Sequence, residues 1–350
     1  MLTVEYITKM PHIHSKKHYL KEMIRPIAGR YFWPRYWLSR TQSFFSKRNE
    51  PVFDYVFIVA EHTRGWILEA ICKEIAAHIS GTVTFHYSVS NLPPAKIYFI
   101  SHYSMVPVIV RKNPSVLKSK ILVWYTHPRK IDTGDRELIY VLNRVHKVIC
   151  TCSEYVKKLV QMGLEENKVT CVLGGADPDF FYARTRSKDG KIGFCSGYRP
   201  HKSPDLILNI IKAMPHRKFL LVGREWSKSD RFSEMIGLQN FEYVEAPYKD
   251  YPRLYAQMDV FVSPSRIEGG PIPLLEAMMA NVVPVASNTG FAPDLIIDGQ
   301  NGFLFDIDKT SLNQIVRLIE KAFELEVNVR ATVSHLCWRN FSKQIQDLTH

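Results

Sequence analysis

The sequence has no apolar run near the ~18–20 residues that a membrane-spanning helix needs, although 46% of its 350 residues are apolar. Residues 1–10 contain no apolar signal core, so we expect no export. Its six cysteines match neither a disulfide framework nor zinc-ligand spacing, and Cys150 and Cys152 are predicted at alternate strand positions. Together these absences predict a cytoplasmic protein.

The sequence also lacks the H-E-x-x-H, G-x-S-x-G and G-x-G-x-x-G motifs. Two Asp-x-Asp pairs, Asp177–Asp179 and Asp306–Asp308, are of the kind that holds a divalent cation on a diphosphate. The first lies in a predicted linker and the second at a predicted helix start, where acids form caps. We therefore predict turn and capping roles for both pairs.

Acidic residues are scarce, which leaves a net charge of +12. Between His14 and Arg48 nine Lys or Arg residues and eight aromatic residues accompany one acid, Glu22. Such a segment suits the interface of an anionic membrane, and it suits equally a structural arm folded over the first domain. Nucleic acid is the least favoured partner and is not predicted. If the segment does contact lipid, the protein is peripheral on the inner face of the membrane.

Short apolar runs alternate with helical patterns on both sides of a polar segment at residues 177–191, and Ser153 is predicted as a helix N-cap. Near-continuous apolar strands between helices indicate parallel sheets covered on both faces. The chain is therefore predicted as α/β, with two Rossmann-like, doubly wound domains facing a central cleft. The predicted divisions are an arm over residues 1–50, a first domain over 51–185 and a second domain over 190–333.

The most informative segment is Glu268-Gly-Gly-Pro-Ile-Pro-Leu-Leu-Glu276. Pro271 and Pro273 set a helix start, because proline is tolerated in a first turn. Consecutive glycines allow backbone N–H groups to approach a ligand, and the helix start adds positive potential. This segment therefore predicts a phosphate-binding loop.

Glu276 lies on an apolar helix face, since its neighbours three and four residues away are Ile272, Pro273, Met279 and Ala280. Burial of a lone carboxylate costs several kcal/mol, on the order seen for unpaired charges. We therefore predict a polar partner, which is either another part of the chain or a ligand hydroxyl.

Three further loops are candidate contacts. The segment from Cys195 to Lys202 follows a strand and precedes a helix, so Arg199 and Lys202 are predicted near a pyrophosphate, although the spacing is not that of a Walker loop. His127 ends a strand of the first domain, and the loop Glu61–Trp66, with Gly65, ends another. Each is either a ligand contact or an ordinary packed or surface residue.

These residues resemble the retaining GT-B glycosyltransferases of family 4. The likeness is strongest from Lys191 to Phe305, while the first 120 residues share only the strand–helix rhythm. The segments that carry it are Cys152-Ser-Glu-Tyr155, Gly175-Ala-Asp177, Asp259-Val-Phe-Val-Ser-Pro-Ser265, Glu268 to Met278, Pro284-Val-Ala-Ser287 and Asp298-Gly-Gln-Asn-Gly-Phe-Leu-Phe305.

The resemblance implies a nucleoside diphosphate sugar, most simply a UDP- or GDP-sugar, held by the second domain. Glu276 would receive the ribose hydroxyls, and Glu268 would contact the sugar with the backbone of Gly269, Gly270, Pro271 and Ile272. Gly197, Arg199 and Lys202 would hold the diphosphate, and His127 would approach the sugar from the first domain. Gly65 stands where the family has a glycine-rich loop that is not evident here.

The family's last helix crosses back to the first domain, which assigns residues 334–350 to that domain. The resemblance implies no metal and no other cofactor. The expected activity is hexosyl transfer, with retention of configuration, to a hydroxyl of a glycan or lipid-linked acceptor in polysaccharide, lipopolysaccharide or glycolipid synthesis. A non-catalytic nucleotide-sugar binder and a sugar-nucleotide epimerase of the same fold are the alternatives.

Overall fold

A computed structural model of the chain describes Thr41, residues 50–128 and residues 133–349. The basic and aromatic segment over residues 14–48 lies outside these ranges apart from Thr41. The predicted arm and its membrane contact therefore stay predictions.

The first half of the described chain forms a sheet whose strands all run parallel. Its strands are β1 (Phe53–Ile58), β2 (Val83–His86), β3 (Ala95–Ile100), β4 (Lys120–Tyr125), β5 (Lys147–Cys150) and β6 (Val169–Cys171). Their order is β2-β1-β3-β4-β5-β6. Val56, Phe57 and Ile58 are fully buried, because both faces of the sheet are covered.

The second half repeats this architecture with six more parallel strands. Its strands are β7 (Lys191–Cys195), β8 (Phe219–Val222), β9 (Phe241–Val244), β10 (Met258–Ser263), β11 (Val283–Ser287) and β12 (Phe303–Phe305). Their order is β12-β11-β10-β7-β8-β9. The predicted pair of doubly wound α/β units is confirmed.

Helices connect these strands and cover the sheets. Within the described ranges the α-helices are α1 (Ile67–Ala77), α2 (Val106–Lys112), α3 (Asp135–Leu142), α4 (Ser153–Gln161), α5 (Pro204–Ala213), α6 (Phe232–Ile236), α7 (Tyr251–Tyr255), α8 (Ile272–Met279), α9 (Ala292–Leu295), α10 (Leu312–Glu324), α11 (Val329–Val333) and α12 (Trp338–Asp347). None of the described helices is both long and apolar enough to cross a bilayer.

Strand order reverses once in each sheet, between β1 and β3 in the first and between β7 and β10 in the second. At such a reversal the connecting segments leave in opposite directions and open a crevice at the carboxyl ends of the strands. The loops after β7 and β10 are Ser196–Ser203 and Pro264–Pro271. These are the two loops that the sequence singles out, and the topology brings them together.

The segment between the two sheets is fixed to β10 through Asp259, whose exposed fraction is 1%. Its carboxylate accepts hydrogen bonds from Arg184 Nη2 at 2.6 Å, Ser187 Oγ at 3.1 Å and the Gly190 N–H at 2.8 Å. The charge is therefore buried with an ion-pair partner.

The last helix packs on the first half. Phe341 of α12 lies against Trp124 of β4, with ring centroids 5.2 Å apart, and Ser342 Oγ donates to the Ile75 carbonyl at 3.1 Å. The helix begins at Trp338, with Cys337 as N-cap, and not at Ser334 as the sequence predicts. The domain boundaries themselves stay predictions.

Candidate active site

The segment after β10 leads into α8 as the sequence predicts, with Pro271 at the N-cap and Pro273 in the first turn. The Glu268 N–H donates to Thr289 Oγ1 at 3.3 Å, and the Glu268 carbonyl accepts from Tyr155 Oη at 2.5 Å. Tyr155 belongs to α4 of the first half. The loop is therefore held from both halves of the molecule.

Lys202 Nζ forms an ion pair and hydrogen bond with Glu268 Oε1. Their side chains are 17% and 11% exposed, so water screens this pair less than a surface pair. The ammonium group has three donor hydrogens, which leaves donors for a further ligand. The pair joins the loop after β7 to the loop after β10.

Beside this pair lies a pocket that opens to solvent. It is lined by Lys202, Glu268, Pro271 and Pro273, together with the strand-end residues Cys195, Ser196 and Ser263 and neighbouring apolar residues. Its position is the carboxyl end of β7 and β10, where strand order reverses. This is the place at which doubly wound sheets bind ligands.

Glu276 is 2% exposed, which confirms the predicted burial. Tyr248 Oη donates to Oε1 at 2.6 Å and Tyr255 Oη donates to Oε2 at 2.9 Å. Burial raises the pKa of Glu276 to about 7, while the two tyrosine hydrogen bonds act in the opposite direction. The predicted polar partner is thus another part of the chain, and each carboxylate oxygen keeps capacity for a second donor.

Arg199 does not line the pocket beside Lys202. Its Nη1 donates to Glu225 Oε2 at 2.7 Å, and its guanidinium carbon lies 5.5 Å from the centre of the Trp66 ring. Glu225 follows β8 and Trp66 follows β1. Arg199 therefore lies between the two halves, and Gly197 is on the same loop.

The halves are in close contact at Gly269 and Gly270. A Cβ atom on Gly269 would lie 3.0 Å from the His127 backbone nitrogen and 3.1 Å from Thr151 Oγ1. A Cβ atom on Gly270 would lie 2.9 Å from Phe291 Cδ1 of its own half and 3.3 Å from Thr151 Cβ of the first half. Glycine is thus required here by the contact between the halves, and this contact places His127 beside the Glu268 loop.

Replacement of Gly269 by Ala is expected to separate the halves locally, because the nearest atom belongs to a backbone and can give only a few tenths of an ångström. Overpacking of this kind costs ~1–3 kcal/mol. Hydrogen–deuterium exchange should rise around residues 126–128 and 151–153. Gly134→Ala is the matched control, since nothing lies within 4 Å of its Cβ position, and equal exchange in both variants would contradict the prediction.

Three hydroxyl groups near this contact are buried without a hydrogen-bond partner among the described residues, namely those of Thr126, Thr151 and Ser203. Ser203 also has a left-handed backbone, with φ +56°, which costs a non-glycine residue roughly 1–2 kcal/mol. Buried unsatisfied groups and backbone strain concentrate at functional positions. No pattern in the sequence singles out these three residues.

The helix after Cys150 corrects one prediction. Cys152, and not Ser153, is the N-cap of α4. Ser153 is the first helical residue, and its N–H and hydroxyl both donate to the carboxylate of Asp294 in the second half, at 2.9 and 2.5 Å. A carboxylate at a helix N-terminus is favourable, so the contact stabilises the packing of the halves.

The Asp-x-Asp pairs have the predicted turn roles. Asp177 Oδ1 accepts from the Asp179 N–H at 2.8 Å, and Asp306 Oδ1 accepts from the Asp308 N–H at 3.0 Å. Groups of three or more His, Cys, Asp or Glu side chains placed to hold a metal do not occur within the described ranges.

Residues 176–334 match the family model described as glycosyl transferases group 1. The fold is GT-B. HepE of Anabaena, crystallised with UDP, superimposes with a TM-score of 0.67 at 15% identity, over 84% of this chain and 98% of that one. This superposition shows the GT-B fold, and residues 176–334 are similar to the group 1 glycosyl transferases.

Two curated relatives share sequence with this chain. An uncharacterised glycosyltransferase of Methanocaldococcus jannaschii is 25% identical over 53% of this chain and 51% of its own length. A Vi polysaccharide biosynthesis protein of Salmonella typhi is 29% identical over 41% of this chain and 26% of its own length. The chain therefore spans about half or less of the length of these relatives.

Two tyrosines at the site were missed by the sequence analysis. Tyr248, Tyr251 and Tyr255 are spaced by three and four residues, which places them on one face of a helix. That spacing was a signal for a shared role of Tyr248 and Tyr255, but it does not indicate Glu276 as their partner.

Proposed function

We propose that the protein is a metal-independent, retaining glycosyltransferase of family 4. It transfers a sugar from a nucleoside diphosphate sugar to a hydroxyl group of a glycan or lipid-linked acceptor. The observation that carries this proposal is the Lys202–Glu268 pair beside an open pocket at the strand-order reversal of the second sheet. A cation next to a helix start in such a crevice suits a diphosphate.

A UDP-sugar is the favoured donor, because structures of HepE with UDP and with UDP-glucose share the fold. Polysaccharide synthesis is the favoured pathway class, because it appears in the name of the Salmonella typhi relative.

Each predicted site residue has a role in this proposal. Lys202 and Arg199 receive the diphosphate, and Glu276 receives the ribose hydroxyls while Tyr248 and Tyr255 orient its carboxylate. Glu268 and the backbone of residues 269–272 surround the sugar, which His127 approaches from the first half. Gly197 lets the backbone of the loop after β7 approach the diphosphate closely. Gly65, in the loop after β1, contacts the donor from the first half.

The proposed chemistry is displacement on one face of the sugar. The bond between the anomeric carbon and the diphosphate oxygen breaks, and the acceptor oxygen bonds to the same face. The leaving diphosphate takes the acceptor's proton. The protein contributes positioning and stabilisation of the negative charge that develops on the leaving group.

A panel of UDP-, GDP- and ADP-sugars tests the proposal. One family of donors should raise the melting temperature, since a ligand of the folded state stabilises it by ~2.7 kcal/mol at a hundred times its Kd. The same donor should be hydrolysed slowly without acceptor and in the presence of a chelator. Binding without hydrolysis would favour a non-catalytic binder, and an epimerised donor would favour an epimerase. No stabilisation by any nucleotide sugar would refute the proposal.

A further inference from the structure

Trp66 is an exposed aromatic side chain on the first half, at the mouth of the crevice between the halves. Its exposed fraction is 42%. The guanidinium carbons of Arg199 and Arg224, both from the second half, lie 5.5 and 5.3 Å from its ring centre. These distances are much longer than the 3.8 Å of the stacked pair Arg217–Phe323. Both guanidinium groups still lie within cation–π range of the ring, and the open surface of the indole is its solvent-exposed part.

The loop that carries Trp66 is held in place by Glu69, whose exposed fraction is 3%. Glu69 accepts hydrogen bonds from the Gly65 N–H at 2.5 Å and Tyr87 Oη at 2.7 Å, and it pairs with Lys73 at 3.0 Å. These bonds hold the pKa of Glu69 at about 2. Because a rigid loop loses little entropy on binding, Trp66 is presented as a preorganised surface.

The charge beside Trp66 is unbalanced. Glu225 serves two cations, with Arg199 at 2.7 Å and Lys228 at 2.9 Å. Arg224 is exposed, and among the described residues no carboxylate lies within ion-pair distance of it. Two basic side chains thus share one acid, and Arg224 beside them keeps its guanidinium donors for another anion.

We propose that Trp66 and Arg224 form an acceptor subsite for an anionic saccharide. The sugar ring lies on the indole face, and its carboxylate or phosphate binds the guanidinium, which can donate to two oxygens at once. Trp66 and Arg224 are both absent from the lining of the pocket of Lys202 and Glu268, so an acceptor bound to them would leave that pocket to the donor. This inference rests on the proposed function, but its residues lie outside the donor pocket.

Calorimetric titration of the purified chain with three matched sugars tests the subsite: glucose, glucuronic acid and glucose 6-phosphate. We expect one or both anionic sugars to bind about tenfold more tightly than glucose, which is the value of one charge-assisted hydrogen bond. The two anionic arms distinguish a carboxylate-bearing from a phosphate-bearing acceptor. Arg224→Gln should remove the preference, and Trp66→Ala should weaken binding of all three sugars.

Arg317→Gln in α10 is the matched control. Arg317 is exposed on the second half, and its replacement changes the net charge by the same amount as Arg224→Gln. Equal affinity for the three sugars, or an unchanged preference in Arg224→Gln, would overturn the subsite. If Trp66 only joins the halves, Trp66→Ala will lower the melting temperature and leave all three affinities unchanged.

Donor hydrolysis in the same variants separates this inference from the proposed function. Arg224→Gln should hydrolyse donor at the rate of the unmodified protein while losing the anion preference. Failure of the unmodified protein to bind any nucleotide sugar would overturn the proposed function, whatever the sugar titration shows.

Discussion

Lys202→Ala is expected to lower the rate of donor turnover by roughly 10²–10³-fold, the usual effect of removing one group that stabilises developing negative charge. Lys202 already holds Glu268 Oε1, and its remaining ammonium hydrogens can reach a phosphate oxygen. The charge on the leaving diphosphate grows as its bond to the sugar breaks. The loss should therefore appear in kcat more than in KM.

Lys202→Arg is the matched variant, because it keeps the charge while it changes the shape of the donor group. It should retain more turnover than Lys202→Ala. Since Lys202→Ala also leaves the Glu268 carboxylate unpaired at 11% exposure, its melting temperature should fall, and adding Glu268→Gln should restore part of it. A Lys202→Ala protein that turns over donor within threefold of the unmodified rate would contradict the diphosphate role.

The features of this site that depend on a single short segment could be predicted from the sequence. The apolar neighbours of Glu276 predicted its burial, and Pro271 and Pro273 predicted the start of α8. The alternation of short apolar runs with helical patterns predicted the two parallel sheets. These features depend on spacing along one segment, which is what a sequence pattern reports.

Contacts between segments that are distant in the sequence could not be predicted in the same way. The partners of Glu276 are tyrosines that lie 28 and 21 positions earlier. Tyr248 belongs to the turn before α7 and Tyr255 to α7 itself, and only tertiary packing brings both to α8. Similarly, the loop spacing places Arg199 near the crevice, but Glu225 beyond the next strand decides where its guanidinium lies. The need for Gly269 depends on how the halves meet at His127.

Glu276 gives the second large expected effect, a fall in stability as pH rises. Burial raises its pKa to about 7 in the folded protein, against about 4.3 in an unfolded chain. Between these pH values the folded protein holds a proton that the unfolded chain has released. The free energy of unfolding should therefore decrease with rising pH across this window, by on the order of 3 kcal/mol, and level off above it.

Calorimetric melting from pH 4 to 8 measures this slope, and Glu276→Gln should remove it because glutamine does not titrate. Glu320→Gln is the control. Glu320 is a carboxylate of the same half that pairs with Arg217 at 2.5 Å, and its pKa is lowered by that contact. Its contribution to stability therefore rises with pH and is complete near the low end of the scan, so Glu320→Gln should leave the fall toward pH 7 in place.

Donor binding should show the opposite trend with pH. The ionised carboxylate of Glu276 can accept both ribose hydroxyls, whereas the protonated form loses an acceptor site. Affinity for the donor's nucleotide should therefore rise as pH increases through about 7, and in Glu276→Gln it should be weaker and independent of this titration. The bound nucleotide stabilises the ionised form of the Glu276 carboxyl group. Saturation with nucleotide should therefore reduce the decrease in the free energy of unfolding with rising pH. If the pH dependence of stability persists in Glu276→Gln, another group holds the buried proton. If nucleotide affinity is unchanged in that variant, Glu276 does not bind the ribose.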